Sequence, residues 1–139
     1  MTLLRFHIPG QPIAKGRARI STRDGFARAY TPEKTVAYEG LVALRGSHAM
    51  DGQTPFDGPL RVEVVATFAI PASWSKRKRA AAIEGTAWHT SRPDGDNIAK
   101  AIGDGLNGVV WADDSRIASW ELAKRYGVAP GVDVTVIAL

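Results

Sequence analysis

The chain of 139 residues has no cysteine. Disulfide staples and thiolate metal centres are therefore excluded, and any bound metal must be held by oxygen or imidazole ligands, which favours hard cations. Long apolar runs are missing too. No stretch approaches the roughly 20 residues needed to cross a bilayer, and the opening MTLLRFHIPG lacks a basic leader followed by an apolar core. A cytoplasmic location is the expectation. With 45% hydrophobic and 23% charged residues the composition is that of a globular protein, neither disordered nor low in complexity. One domain spanning residues 1–139 is expected, large enough to bury a core unaided.

Acids are the minority charge: 14 Asp and Glu stand against 18 Lys and Arg, giving a net charge of +4 and an isoelectric point near 9.7. The cations cluster as Lys15, Arg17 and Arg19, then Lys76, Arg77, Lys78 and Arg79. Clustered cations suit a polyanion such as nucleic acid, because each phosphate contact releases condensed counterions. A merely solvated surface has the same composition.

Periodicity supplies the fold class. Thr2 to Ile8 reads as a strand closed by Pro9-Gly10, and the Gly- and cation-rich segment after it as a loop or loose hairpin. Thr31-Pro32-Glu33 predicts a helix start with a hydroxyl N-cap, the helix running from about Pro32 to Ser47. Leu60, Val62, Val64, Ala66, Phe68 and Ile70 alternate with Arg61, Glu63, Val65, Thr67 and Ala69, the clearest strand in the chain. Ser73 or Ser75 can cap a short helix that Gly85 ends. Ile98, Ile102 and Leu106 give a helix from about Asn97 to Asn107 a buried stripe. Two strands follow, near Arg116 to Arg125 and Val132 to Ala138. The sum is an α+β domain with a small mixed sheet packed against helices.

Chemistry concentrates between Arg92 and Ile117. Asp94 and Asp96 stand at a helix mouth, where ordinary capping explains either one alone. Asp96, Lys100 and Asp104 recur every four residues on the face opposite the apolar stripe. This spacing also fits simple i,i+4 ion pairs. A second acidic pair, Asp113-Asp114, follows an apolar VVW run. If the helix start and this pair meet, several carboxylates converge and repel unless a cation neutralises them. Mg²⁺ suits such a set, since it needs only one or two carboxylates besides water and substrate phosphate. A calcium loop of the EF-hand kind is excluded, because DGDN lacks the glycine and glutamate that such a loop requires.

The run PDGDNIAKAIGDGLNGVVWADDSRI resembles the acidic signature of the RusA family of Holliday junction resolvases, found widely in phages and prophages. PIAKGRARI and YTPEKTVAYEG are similar to the phage-type branch of that family. The resemblance implies a RusA-like fold and a Mg²⁺-dependent endodeoxyribonuclease, with Mn²⁺ as a substitute metal. It implies a homodimer that resolves four-way DNA junctions in recombination and repair by paired nicks. Asp94 and Asp96 match the family's paired metal-binding aspartates, Lys100 its catalytic lysine and Asp114 its third essential acid. Asp113 is that acid's neighbour, and Asp104 occupies a recurrent position. Two symmetric cuts on a two-fold junction also suit two related sites.

Gly95, Gly103 and Gly105 depart from the family pattern, where bulkier residues are frequent, and Gly103 offers no side chain to wedge into a branch point. Lys15, Arg17 and Arg19 are expected to form a basic arm along the DNA, and Arg92 to orient phosphate or pair with the acids. His89 has no second histidine at ligand spacing and is read as structural; Trp88, Trp111 and Trp120 could stack bases, but aromatics beside apolar strands are more often core, and no aromatic is assigned to the site. Two other readings stay open: a non-catalytic DNA-binding module whose acids cap helices and pair with cations, and a nuclease for flaps, forks or RNA.

Overall fold

A computed structural model describes residues 1–16, 19–22 and 25–139, with the side chain of Arg19 excepted. Its elements are β1 (Thr2–Pro9), β2 (Arg19–Ser21), β3 (Arg28–Tyr30), α1 (Glu33–Met50), β4 (Leu60–Ala69), α2 (Lys76–Glu84) and α3 (Gly95–Leu106). A 3-10 turn (Asp114–Arg116), β5 (Ile117–Gly127) and β6 (Gly131–Ala138) complete the described chain. The main sheet has the order β1-β6-β4-β5, and β2 and β3 form a separate hairpin. β4 runs antiparallel to β6 and parallel to β5, so the sheet is mixed, as its sequence pattern implied.

The alternation along β4 places Leu60, Val62, Val64, Ala66 and Phe68 on one buried face. Val62, Val64 and Ala66 pair in register with Val136, Val134 and Val132 of β6, so two strands present a continuous apolar surface. Helices α1 and α3 cover it. Ile98, Ile102 and Leu106 of α3 are fully buried, as are Val42 of α1 and Trp111 in the loop after α3.

The helix starts differ from expectation in one instructive place. Thr31 does not cap α1: Pro32 holds the N-cap position with an extended ψ of 140° and no side-chain bond closes the turn. The carbonyl of Pro32 instead accepts from the amides of Thr35 and Val36. α1 also continues beyond Ser47 to Met50, stopping where Asp51 turns left-handed at φ 47°. For α2 the expected ends hold, with Ser75 Oγ accepting from the Lys78 amide and Gly85 at φ 84°.

Two glycines set how closely α1 and α3 approach. A Cβ on Gly105 would sit 2.8 Å from Val42 Cγ1 and 2.9 Å from its Cβ, and one on Gly46 would collide with Leu106. These glycines are the price of a tight crossing, where bulkier residues would hold the helices apart. Gly103 is different, since a Cβ there meets only the Trp120 ring at 3.6 and 3.7 Å, an ordinary contact. Gly105→Ala should therefore lower the unfolding free energy by about 1–3 kcal/mol through overpacking. Gly103→Ala should raise it by about 0.5–1 kcal/mol through helix propensity. Paired urea melts of the two variants check both signs.

Candidate functional site

α3 carries its apolar stripe against the sheet, which turns Asp96, Lys100 and Asp104 outward. Across from them, Asp114 begins the 3-10 turn that leads into β5. Asp96, Lys100, Asp104 and Asp114 line one recess of about 250 Å³ together with Ala99, Gly103 and Trp120. The helix start and one member of the second acidic pair thus meet, although 18 residues separate Asp96 from Asp114 in the sequence. Asp94 lies just outside, lining a broader recess of about 690 Å³ with Arg92, Pro93 and Asn97.

Several contacts fix these positions. Lys124 of β5 donates from Nζ to the carbonyls of Ser91 (2.8 Å) and Pro93 (2.9 Å), holding the segment that enters α3. A Cβ on Gly95 would come within 3.2 Å of Leu122 Cδ2, so a small residue there lets the helix start approach β5. On the other side, the Phe56 amide donates to the Val110 carbonyl and the Ala112 amide to the Phe56 carbonyl, both at 2.9 Å. Arg116 Nε reaches Asp57 Oδ1 at 2.8 Å. The turn bearing Asp114 is therefore stitched to the loop before β4.

The carboxylates are not consumed by local structure in the ways their spacing allowed. Asp94 occupies the N-cap position of α3, yet its side chain makes no capping bond. Lys100 forms no ion pair with Asp96 or Asp104 among the described residues. Asp113 is the exception: its Oδ2 accepts from the Ser115 amide at 3.1 Å and caps the 3-10 turn. The bonds from Ser115, with Arg116 nearby, hold its carboxyl below the usual aspartate range. Asp113 is exposed and does not line the recess as Asp114 does.

Asp104 is engaged by a residue from far up the chain. Lys15 Nζ lies 2.6 Å from Glu39 Oε1 and 3.2 Å from Asp104 Oδ2, and the Lys15 amide donates to the Asn97 carbonyl at 3.0 Å. The Glu39 bond raises the lysine's pKa above its ordinary value, with burial opposing and Asp104 reinforcing it. Lys15 was expected in a basic arm; its ammonium is instead enclosed between two acids, joining the N-terminal loop to α1 and α3. Arg17 lies outside the described residues, as does the Arg19 side chain.

Among the second set of cations, Lys76 and Arg77 are exposed at the start of α2. Lys78 sits over the Trp74 ring at 4.0 Å, and Arg79 donates to the Pro71 carbonyl at 3.1 Å. His89 is buried and stacked on Phe68 with ring centroids 3.8 Å apart, the packing role its isolation suggested. Burial, and secondarily the charge of Lys124, lowers its pKa. Trp111 is core, but Trp88 is exposed beneath Arg125 and Trp120 stands at the recess, so the sequence reading missed both. For Trp120 the available signal was its polar flanking residues, Ser119 and Glu121.

A divalent cation is compatible with this donor set. Asp96 and Asp114 face the same space with only oxygen to offer, while Asp94, two residues before Asp96, lines a separate recess. Among the described residues no three His, Asp or Glu side chains form a ready-made cage. Such sparse, separated carboxylates fit an ion that keeps most of its waters, as Mg²⁺ does, rather than one fully enclosed by protein.

The sequence model of the family described as endodeoxyribonuclease RusA matches residues 9–137. An uncharacterized protein of Bacillus subtilis (strain 168), YqaN, is 33% identical over 138 residues, covering 98% of this chain and 96% of its own length.

Two measurements probe the supports of the site. Lys15→Met should reduce the urea unfolding free energy by about 1–3 kcal/mol, because Glu39 and Asp104 lose a charged partner. For His89, the folded pKa lies below the unfolded value near 6.5, so the unfolded chain takes up the proton first as pH falls. That group's contribution is present above pH 6.5 and is lost on acidification toward the folded pKa. Thermal melts between pH 7.5 and pH 5 should show His89→Phe, which keeps the stack, losing less stability than the wild type.

Proposed function

The chain belongs to the RusA endodeoxyribonuclease family, and on that premise we propose that it is a Mg²⁺-dependent endonuclease resolving Holliday junctions, with its reaction centre in the Asp96, Lys100 and Asp114 recess. The observation that carries this reading is that Asp96, Lys100 and Asp114 share one solvent-open recess and, among the described residues, form no ion pair with one another. A purely structural set would be expected to satisfy itself.

In this reading Asp96 and Asp114 hold the cation from within the recess, and Asp94, which lines a separate recess, and Asp113, engaged in capping the 3-10 turn, would reach it only through its bound waters. When bound, Mg²⁺, or Mn²⁺ in its place, supplies positive charge that polarises the phosphodiester and acidifies water. Lys100 sits on the helix face between Asp96 and Asp104, within the recess, and offsets the negative charge that grows on the phosphate during attack. Arg92, beside Asp94, orients the phosphate by its planar guanidinium. Asp104 contributes through Lys15, which keeps its carboxylate from competing for the cation.

Branched DNA is held by cations outside the centre. Lys76 and Arg77 have exposed charges, Lys78 and Arg79 extend the same helix, and Arg17 and Arg19 belong to the N-terminal basic cluster. Lys15, braced internally, contributes less to this set than its neighbours. A homodimer places two such recesses on a two-fold junction, so that paired nicks arise from equivalent sites. The reading as a DNA-binding module without catalysis accounts for Asp113, which caps the 3-10 turn, and Asp104, which pairs with Lys15. It does not account for Asp94, whose side chain makes no capping bond, or for Lys100, which among the described residues is not tied to its helical neighbours.

The test uses end-labelled four-way junctions, forks and flaps with purified protein. Wild type with Mg²⁺ should place symmetric nicks in the four-way junction, and chelation should abolish them. Asp96→Asn and Asp114→Asn should cleave at least ~100-fold more slowly while still binding the junction. Equal cleavage by wild type and both variants would overturn the assignment. Faster cutting of forks or flaps would move the substrate preference to those branches.

A further inference from the structure

Trp120 is an aromatic side chain set among acids where a core residue would not be. It lies on β5 in register with Val62, so it points to the helix side of the sheet, but β5 is the last strand and the indole remains 38% exposed. One edge is held: its ring stands nearly perpendicular to the buried Trp111 ring, at 84° with centroids 6.3 Å apart. Gly103 passes beside its Cζ2 and Cη2 without a side chain to cover them. The same recess contains Asp96, Lys100 and Asp114.

We propose that Trp120 is the stacking platform for an unpaired nucleobase adjacent to the cleaved phosphate, and thereby a determinant of where the strand is cut. This rests on the nuclease reading above. A nucleobase has a flat π-face of a size that matches an indole, and stacking tolerates any base while favouring one that is already unstacked. At a branch point, bases at the crossover have lost a neighbour, so a base there reaches the platform at less cost than one inside a duplex. The anchored edge against Trp111 keeps the indole in position before DNA arrives, which limits the ordering entropy of binding.

The test separates stacking from cleavage. Four-way junctions carrying 2-aminopurine at each position around the crossover are titrated with wild type, Trp120→Phe and Trp120→Ala under chelation, and cleavage sites are mapped separately with Mg²⁺. Wild type should quench the fluorophore at one or two crossover positions, Trp120→Phe should retain much of that quenching, and Trp120→Ala should lose it and bind roughly tenfold more weakly. The cleavage pattern of Trp120→Ala should spread to neighbouring phosphodiesters. Thermal melts accompany each variant. Unchanged quenching by Trp120→Ala overturns the proposal, even if that variant is less stable or slower, since the residue would then only brace Trp111. Absence of crossover quenching by wild type overturns it as well. Failure of the nuclease reading shows independently, as no nicking by wild type on any branched substrate.

Discussion

The crossing of α3 over α1 governs the rest of the molecule. Gly46 and Gly105 allow the two helices to close until Leu106 and Val42 fill the gap between them. With that distance set, the buried stripe of Ile98, Ile102 and Leu106 locks the rotation of α3 against the sheet. Rotation is what matters for chemistry: Asp96, Lys100 and Asp104 lie opposite that stripe, so packing the apolar face presents the charged one. The core and the recess are two consequences of one helix orientation.

β5 completes the arrangement from the other side. It pairs parallel to β4, which requires the chain between them to cross the sheet, and α2 and α3 make that crossing. α3 then leads through the buried Trp111 to the turn bearing Asp114, so both walls of the recess come from consecutive parts of the chain. Lys124 reaches back from β5 to the carbonyls of Ser91 and Pro93, joining the far end of the strand to the start of the helix.

Much of this was legible in the sequence because it depends on short-range periodicity. The alternation of β4 and β6, the four-residue stripe of α3, and the Ser75 and Gly85 ends of α2 each follow from local geometry, and the acidic run carried the family resemblance. What was hidden depends on contacts between distant segments. Lys15 read as a free cation because nothing local announces Glu39 and Asp104 as its partners. Trp120 read as core because an aromatic in a strand most often packs inward, whereas exposure follows from the strand's position at the sheet edge. Thr31 resembled a cap, but the extended backbone at Pro32 begins α1 one step later. Local pattern alone does not separate Asp113 from Asp114, which only the family resemblance told apart, and in the fold one caps the turn while the other faces the recess.

β5 being the outermost strand has a consequence for colloidal behaviour. An eleven-residue strand with an open edge is a template on which other chains can add and propagate as aggregated sheet. Glu121, Lys124 and Arg125 interrupt that template with charges of both signs, which discourages such growth without covering the strand. The margin from which Trp120 projects can thus remain uncovered, and accessibility and solubility depend on the same stretch of backbone.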